Sequence, residues 1–87
     1  MPIVTVYTAK PCGYCTAAIR YLKGAKKLEV EEIDLTHNTE LRIKLIRETG
    51  HRTVPMIYIN GQFIGGYDEL RKLDAQKQLD LLINKGS

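Results

Sequence analysis

The chain is 87 residues long, 44% hydrophobic and 26% charged, with a formal net charge of +3. That length supports one domain, expected to span residues 1–87. No apolar run approaches the roughly 20 residues that a membrane helix needs, and no segment reads as a targeting peptide. A reducing cytoplasm is therefore the expected setting, without membrane association. The positive bias is mild and comes without a base-reading motif, which argues against nucleic acid and suits a small anionic substrate. The densest basic group, Lys23, Lys26 and Lys27, reads as a solvated helix end.

Residues 3–8 are rich in β-branched and aromatic types and predict a strand. A helix over residues 13–24 follows, with Ala17, Ala18, Tyr21 and Leu22 on its apolar face and Gly24 at its end. Residues 29–34 predict a second strand around Val30 and Ile33. Thr36 or Asn38 is suited to cap a second helix that runs to about Thr49, with Leu41, Leu45 and Ile46 inward and Gly50 just past its end. Val54, before Pro55, must be extended. Met56 to Ile59 reads as a short strand, Asn60-Gly61 as a hairpin turn and Gln62-Phe63-Ile64 as the returning strand. Residues 67–73 and 76–84 predict two short helices parted by Asp74 or Ala75, the last packed down by Leu79, Leu82 and Ile83. The order β-α-β-α-β-β-α, with a further short C-terminal helix, implies an α/β fold. Its central four-stranded mixed sheet should carry helices on both faces, with the first two strands parallel through a right-handed crossover.

The only two cysteines, Cys12 and Cys15, form a C-x-x-C pair where the first strand meets the first helix. A helix start leaves backbone N–H groups free and carries partial positive charge, so a sulfur there is easier to ionise, and the thiolate is the reactive form. One sulfur can attack and the other, three residues on, can resolve. A structural zinc site needs four ligands, and His37 and His51, the only histidines, are not spaced as a ligand pair, so both read as loop residues. Pro55 falls at a strand's first residue, where its missing donor is tolerated. The turn before it leaves the Val54 N–H and C=O free for an extended peptide-like ligand. Gly65-Gly66 permits close backbone approach, and the helix that follows favours an anion at its start.

Three segments, Lys10-Pro11-Cys12-Gly13-Tyr14-Cys15, Thr53-Val54-Pro55 with its hairpin, and Gly65-Gly66-Tyr67-Asp68-Glu69-Leu70, together resemble the glutaredoxin family, the glutathione-dependent branch of the thioredoxin fold. The match in order and spacing covers essentially the whole chain. The resemblance implies a thioredoxin-like fold and a glutathione-dependent thiol–disulfide oxidoreductase that reduces protein disulfides and protein–glutathione mixed disulfides. It makes Cys12 the nucleophile and Cys15 the resolving thiol, and it implies a cis Val54–Pro55 bond facing them. It also implies a glutathione site. Thr53, Val54 and Pro55 would hold the peptide backbone, and Gly66, Tyr67 and Asp68 the γ-glutamyl end. Lys10 would meet the glycyl carboxylate, with Arg42 and more weakly Arg52 beside it, and Tyr14 would wall the sulfur. Partners would be glutathione and glutathionylated or disulfide-containing proteins, with ribonucleotide reductase one candidate, and the chain would act as a monomer. Tyr67 departs from the small residue or cysteine common in relatives. Gly13 departs from a frequent proline and loosens the turn. No metal is required, but Gly13 also admits an alternative, a dimer bridging a [2Fe–2S] cluster with glutathione. A redoxin served by thioredoxin reductase is a further alternative, opposed by the absence of a tryptophan before Cys12.

Overall fold

The computed structural model describes residues 3–85. Its elements are β1 (Val4–Thr8), α1 (Gly13–Arg20) with a π-helical turn at Tyr21–Ala25, β2 (Val30–Asp34), α2 (Thr39–Thr49), β3 (Met56–Ile59), β4 (Gln62–Gly65), α3 (Tyr67–Ala75) and α4 (Gln78–Lys85). The strands lie in the order β2-β1-β3-β4. β1 runs parallel to β2, with Val4 opposite Val30, and antiparallel to β3, with Val6 opposite Ile57. Asn60 and Gly61 both take positive φ angles, 51° and 80°. A two-residue hairpin turn between β3 and β4 demands that conformation.

Side chains alternate across a strand, so each strand feeds two cores. Val4 and Val6 of β1 and Ile57 and Ile59 of β3 pack with Ala18, Leu22, Leu70 and Leu79 beneath α1, α3 and α4. Met56 and the partly buried Tyr7, Ile33, Tyr58 and Phe63 face the other way, onto Leu41, Leu45 and Ile46 of α2. The sheet is thus covered on both faces, as the alternation of elements implies. Leu82 and Ile83 pack on the first core as expected. Their backbone carbonyls accept bonds of 2.8 and 3.1 Å from the Asn60 side chain, which ties α4 to the hairpin.

Several expectations are corrected. The first helix is α-helical only to Arg20. Lys26 N–H then reaches back five residues to the Tyr21 carbonyl, 3.2 Å, so Gly24 sits inside a widened turn rather than ending an α-helix. Lys26 is not solvated; its ammonium bonds Asp74 at 2.9 Å and Asp80 at 3.3 Å, joining this turn to α3 and α4. The last two helices part at Gln76 and Lys77 rather than at Asp74 or Ala75. Lys77 turns left-handed (φ 61°), and its N–H bonds the Asp74 carbonyl at 3.0 Å. Of the two residues suited to cap α2, Asn38 does so, as one of the expected alternatives, its side chain accepting the Leu41 N–H at 3.2 Å.

Candidate active site

β1 ends at Thr8, and the chain turns through Ala9, Lys10 and Pro11 into α1. This turn is pinned from the side. Lys10 N–H donates to Thr36 Oγ1 at 2.9 Å, and the Asp34 carboxylate accepts both the Thr36 hydroxyl and the Thr36 N–H. Those two bonds hold the Asp34 carboxyl below its ordinary value.

Cys12 is the N-cap of α1, in extended conformation (φ −155°, ψ 107°). Its sulfur accepts the Cys15 N–H at 3.1 Å, so it stands at the electropositive start of the helix. The same sulfur lies 3.8 Å from the Val54 carbonyl, which brings the C-x-x-C turn against the Thr-Val-Pro segment. Both cysteines are free thiols, Cys12 half-buried and Cys15 only 4% exposed. Burial, helped by the Cys12 side chain, pushes the Cys15 thiol up to about 12. The two sulfurs are therefore set apart by environment, one at a helix mouth and one held as a thiol. The peptide bonds before Pro11 and Pro55 are both cis.

A cleft of about 370 Å³ opens beside the Val54–Pro55 turn, with Tyr14, Thr53, Gly66, Tyr67 and Asp68 also on its walls. Gly66 is buried, and a Cβ there would come within 3.4 Å of the Pro55 carbonyl oxygen, so a side chain would crowd the cleft floor. The Tyr14 and Tyr67 rings, with centroids 6.2 Å apart, flank the cleft. Arg71 donates to the Tyr67 hydroxyl at 2.9 Å and so holds that ring in place. Tyr14 is 65% exposed. Lys10 borders a second cleft of about 650 Å³ on the other side of the cysteines, and Cys12 and Cys15 both line it. Of the expected site residues, Arg42 lines neither cleft. It is half-buried on α2 rather than on an exposed face. The weaker candidate Arg52 is exposed and also lines neither.

Two residues of the smaller cleft escape a sequence reading. His51 packs edge-on against Phe63 (5.5 Å) and bonds the Thr53 hydroxyl at 3.1 Å. It is a loop residue, as expected, but it borders the cleft. Glu69 reaches back to accept the Gly66 N–H at 3.1 Å, taking the capping role open to Asp68 and leaving the Asp68 carboxylate exposed on the cleft wall. A Gly66-x-x-Glu69 spacing at a helix start was the available signal for this bond. Among the described residues, no group of three or more His, Cys, Asp or Glu side chains is arranged to hold a metal ion, and no helix is long and apolar enough to cross a membrane.

The glutaredoxin family model matches residues 4–64, a span that holds both cysteines and the Thr-Val-Pro segment. The chain belongs to the glutaredoxin family. It is 39% identical to glutaredoxin 3 of Escherichia coli over 83 residues, covering 95% of this chain and 99% of that one. It is 38% identical to a Pseudomonas aeruginosa glutaredoxin over 84 residues, 97% of this chain and 99% of the relative. Among solved structures, a buckwheat glutaredoxin–glutathione complex superposes with a TM-score of 0.85 at 25% identity, covering 98% of this chain and 79% of that one. The Brucella melitensis glutaredoxin superposes at 0.82 and 36% identity over 100% of this chain and 94% of its own. The fold is accordingly thioredoxin-like, and the activity of this glutaredoxin is thiol–disulfide oxidoreduction, with the paired cysteines as its redox-active centre.

Proposed function

We propose that this glutaredoxin uses glutathione to reduce protein disulfides and protein–glutathione mixed disulfides, with Cys12 as nucleophile and Cys15 as resolving thiol. The observation that carries the reading is the position of the Cys12 sulfur. It stands at a helix N-terminus, 3.1 Å from the Cys15 N–H and 3.8 Å from the Val54 carbonyl, beside a cleft walled by backbone-rich segments. Such a cleft suits a short peptide carrying a sulfur. An extended ligand pairs with the Val54 backbone. Its γ-glutamyl carboxylate takes the free N–H groups at the start of α3, and its amino group meets Asp68. Lys10 serves the glycyl carboxylate, and Tyr14 covers the reacting sulfurs.

In the first step the Cys12 thiolate attacks the glutathione sulfur of a mixed disulfide. The Cys12–glutathione bond forms, and the target protein's sulfur leaves with the electron pair. A second glutathione then releases oxidised glutathione. With a protein disulfide, Cys12 forms the mixed disulfide and Cys15 displaces the product. The resulting Cys12–Cys15 bridge is reduced by two glutathiones. Cys15→Ser should retain deglutathionylation and lose reduction of protein disulfides, measured with glutathione and glutathione reductase, while Cys12→Ser loses both. A folded Cys15→Ser protein inactive in both assays would refute this division of roles.

A further inference from the structure

The larger cleft shares Lys10, Cys12 and Cys15 with the site described above, but its far side, toward Glu32, has no part in the steps above. It runs between α1 and the edge strand β2, and Lys10, Cys15, Ile19, Arg20 and Glu32 line it. Glu32 stands on the edge strand. It pairs in register with buried Val6, so it projects from the sheet face that α1 covers, but it is exposed at the rim of the cleft rather than buried in the core. It is held there by Thr8, a side chain only 2% exposed, whose hydroxyl donates to Glu32 Oε2 at 3.2 Å. The carboxylate and the Cys15 thiol thus border one cavity of about 650 Å³. An open cleft of that size, with Lys10, Arg20 and Glu32 among its lining residues, has room for bridging water.

The proposed reaction needs a proton acceptor at this point. Cys15 is a poor nucleophile as a thiol, and its surroundings favour the thiol: burial first, then the Cys12 side chain, with the charge of Glu32 adding to both. Once Cys12 is tied up in a mixed disulfide, its thiolate no longer opposes ionisation of Cys15. The remaining local anion is Glu32. Passing the proton from Cys15 to Glu32 exchanges one anion for another without adding charge to the cavity. The other charged groups lining the cleft are Lys10 from the turn and Arg20 from α1, both cationic.

We propose that Glu32, positioned by the Thr8 hydroxyl, accepts the Cys15 proton through water in this cleft as Cys15 attacks the Cys12 mixed disulfide. The Cys15–Cys12 bond forms, the bond from Cys12 to the substrate sulfur breaks, and the substrate sulfur departs with the electron pair. Glu32 then returns the proton to solvent or to the departing thiolate. This inference rests on the assignment of Cys12 and Cys15 above.

The test follows reduced full-length protein mixed with oxidised glutathione, acid-quenched and weighed by mass spectrometry. Adduct formation at Cys12 and closure of the Cys12–Cys15 bridge are then read as separate steps. Glu32→Gln should slow closure by about tenfold near pH 6.5, a modest share of what a positioned base supplies. The deficit should shrink as pH rises and hydroxide takes over, and Glu32→Asp should recover part of the rate. Adduct formation, which takes no proton from Cys15, should change by less than about twofold. Thr8→Val should show the same pattern more weakly. Faster closure in Glu32→Gln would mean that the carboxylate only opposes ionisation of Cys15, and an unchanged rate would mean that it takes no part; either overturns the proposal. Adduct formation in Cys12→Ser would instead overturn the assignment beneath it.

Discussion

Asp68 illustrates how one side chain is freed for work by its neighbour. Because Glu69 caps the start of α3, the Asp68 carboxylate one residue earlier has no capping bond to make and stays exposed on the cleft wall. A charge-assisted bond from a ligand's ammonium group to such an exposed carboxylate contributes about 1–1.5 kcal/mol, or roughly five- to tenfold in affinity. Asp68→Asn should therefore raise the KM for glutathione by that factor and leave kcat within about twofold, since the proposed contact is to the γ-glutamyl amino group and not to a reacting sulfur. A KM that does not move would detach the γ-glutamyl amino group from Asp68. At this scale local spacing was informative about position: Cys12 stands at a helix start, Pro55 directly before β3 and Asp68 in the first turn of α3. It was silent about His51. Nothing in Thr49-Gly50-His51-Arg52 distinguishes a ring that packs on Phe63 and borders the cleft from one left in solvent. That distinction depends on where the chain returns after the β3–β4 hairpin, at Phe63. Arg42, which lines neither cleft, shows the converse: helical periodicity gives a face but not the distance from that face to a cleft formed by other elements.

Among the elements, the β4–α3 junction carries the tightest backbone requirement. Gly65 has φ +117°, and a Cβ there would stand 2.7 Å from the Glu69 side-chain carbon Cγ. Gly65→Ala thus meets two costs together, a conformation that L residues avoid and displacement of the Glu69 cap, for a combined loss of about 2–3 kcal/mol. In a protein of this size that lowers Tm by roughly 10–20 °C. Gly13→Ala supplies the contrast, because nothing lies within 4 Å of its added methyl. Its stability should change by less than about 0.5 kcal/mol. Thermal melts of both variants decide the matter, and similar Tm values would show that the junction relaxes without cost. Every strand and helix here was legible in outline, because the period-2 and period-3.6 patterns are strong in Val4–Thr8 and Thr39–Thr49. The boundaries that slipped have local causes invisible in composition. The π turn depends on the Lys26-to-Tyr21 bond and on Lys26 finding Asp74 across the fold. The break at Lys77 depends on a left-handed lysine where glycine is usual.

At the scale of the whole molecule, the redox pair couples the chemistry to the stability of the fold. In the reduced protein Cys15 keeps its proton up to about 12, whereas its ordinary value, which the unfolded chain approaches, is 9.0. Between those limits the unfolded chain has released a proton that the folded chain retains. Stability is therefore undiminished below about pH 9 and falls as pH rises toward 12, with a limiting slope of about 1.4 kcal/mol per pH unit. Tyr58, raised by burial and by Tyr7, adds a loss of the same sign above 10, but it does so in both redox forms. Asp34 acts at the other end. Its carboxyl is lowered by Thr36, so its contribution is present above about 3.8 and disappears as pH falls through its folded value, again in both forms. The Cys15 contribution is confined to the reduced protein, because a Cys12–Cys15 disulfide has no thiol to titrate. Urea midpoints of the two forms, compared between about pH 8 and pH 10.5, should show the reduced form losing more stability than the oxidised form. Reduced Cys15→Ser should lose less stability over that range than the reduced wild type. Parallel losses in wild-type reduced and oxidised protein would mean that Cys15 ionises as readily in the fold as out of it, and the argument for a resolving thiol held back by burial would fail.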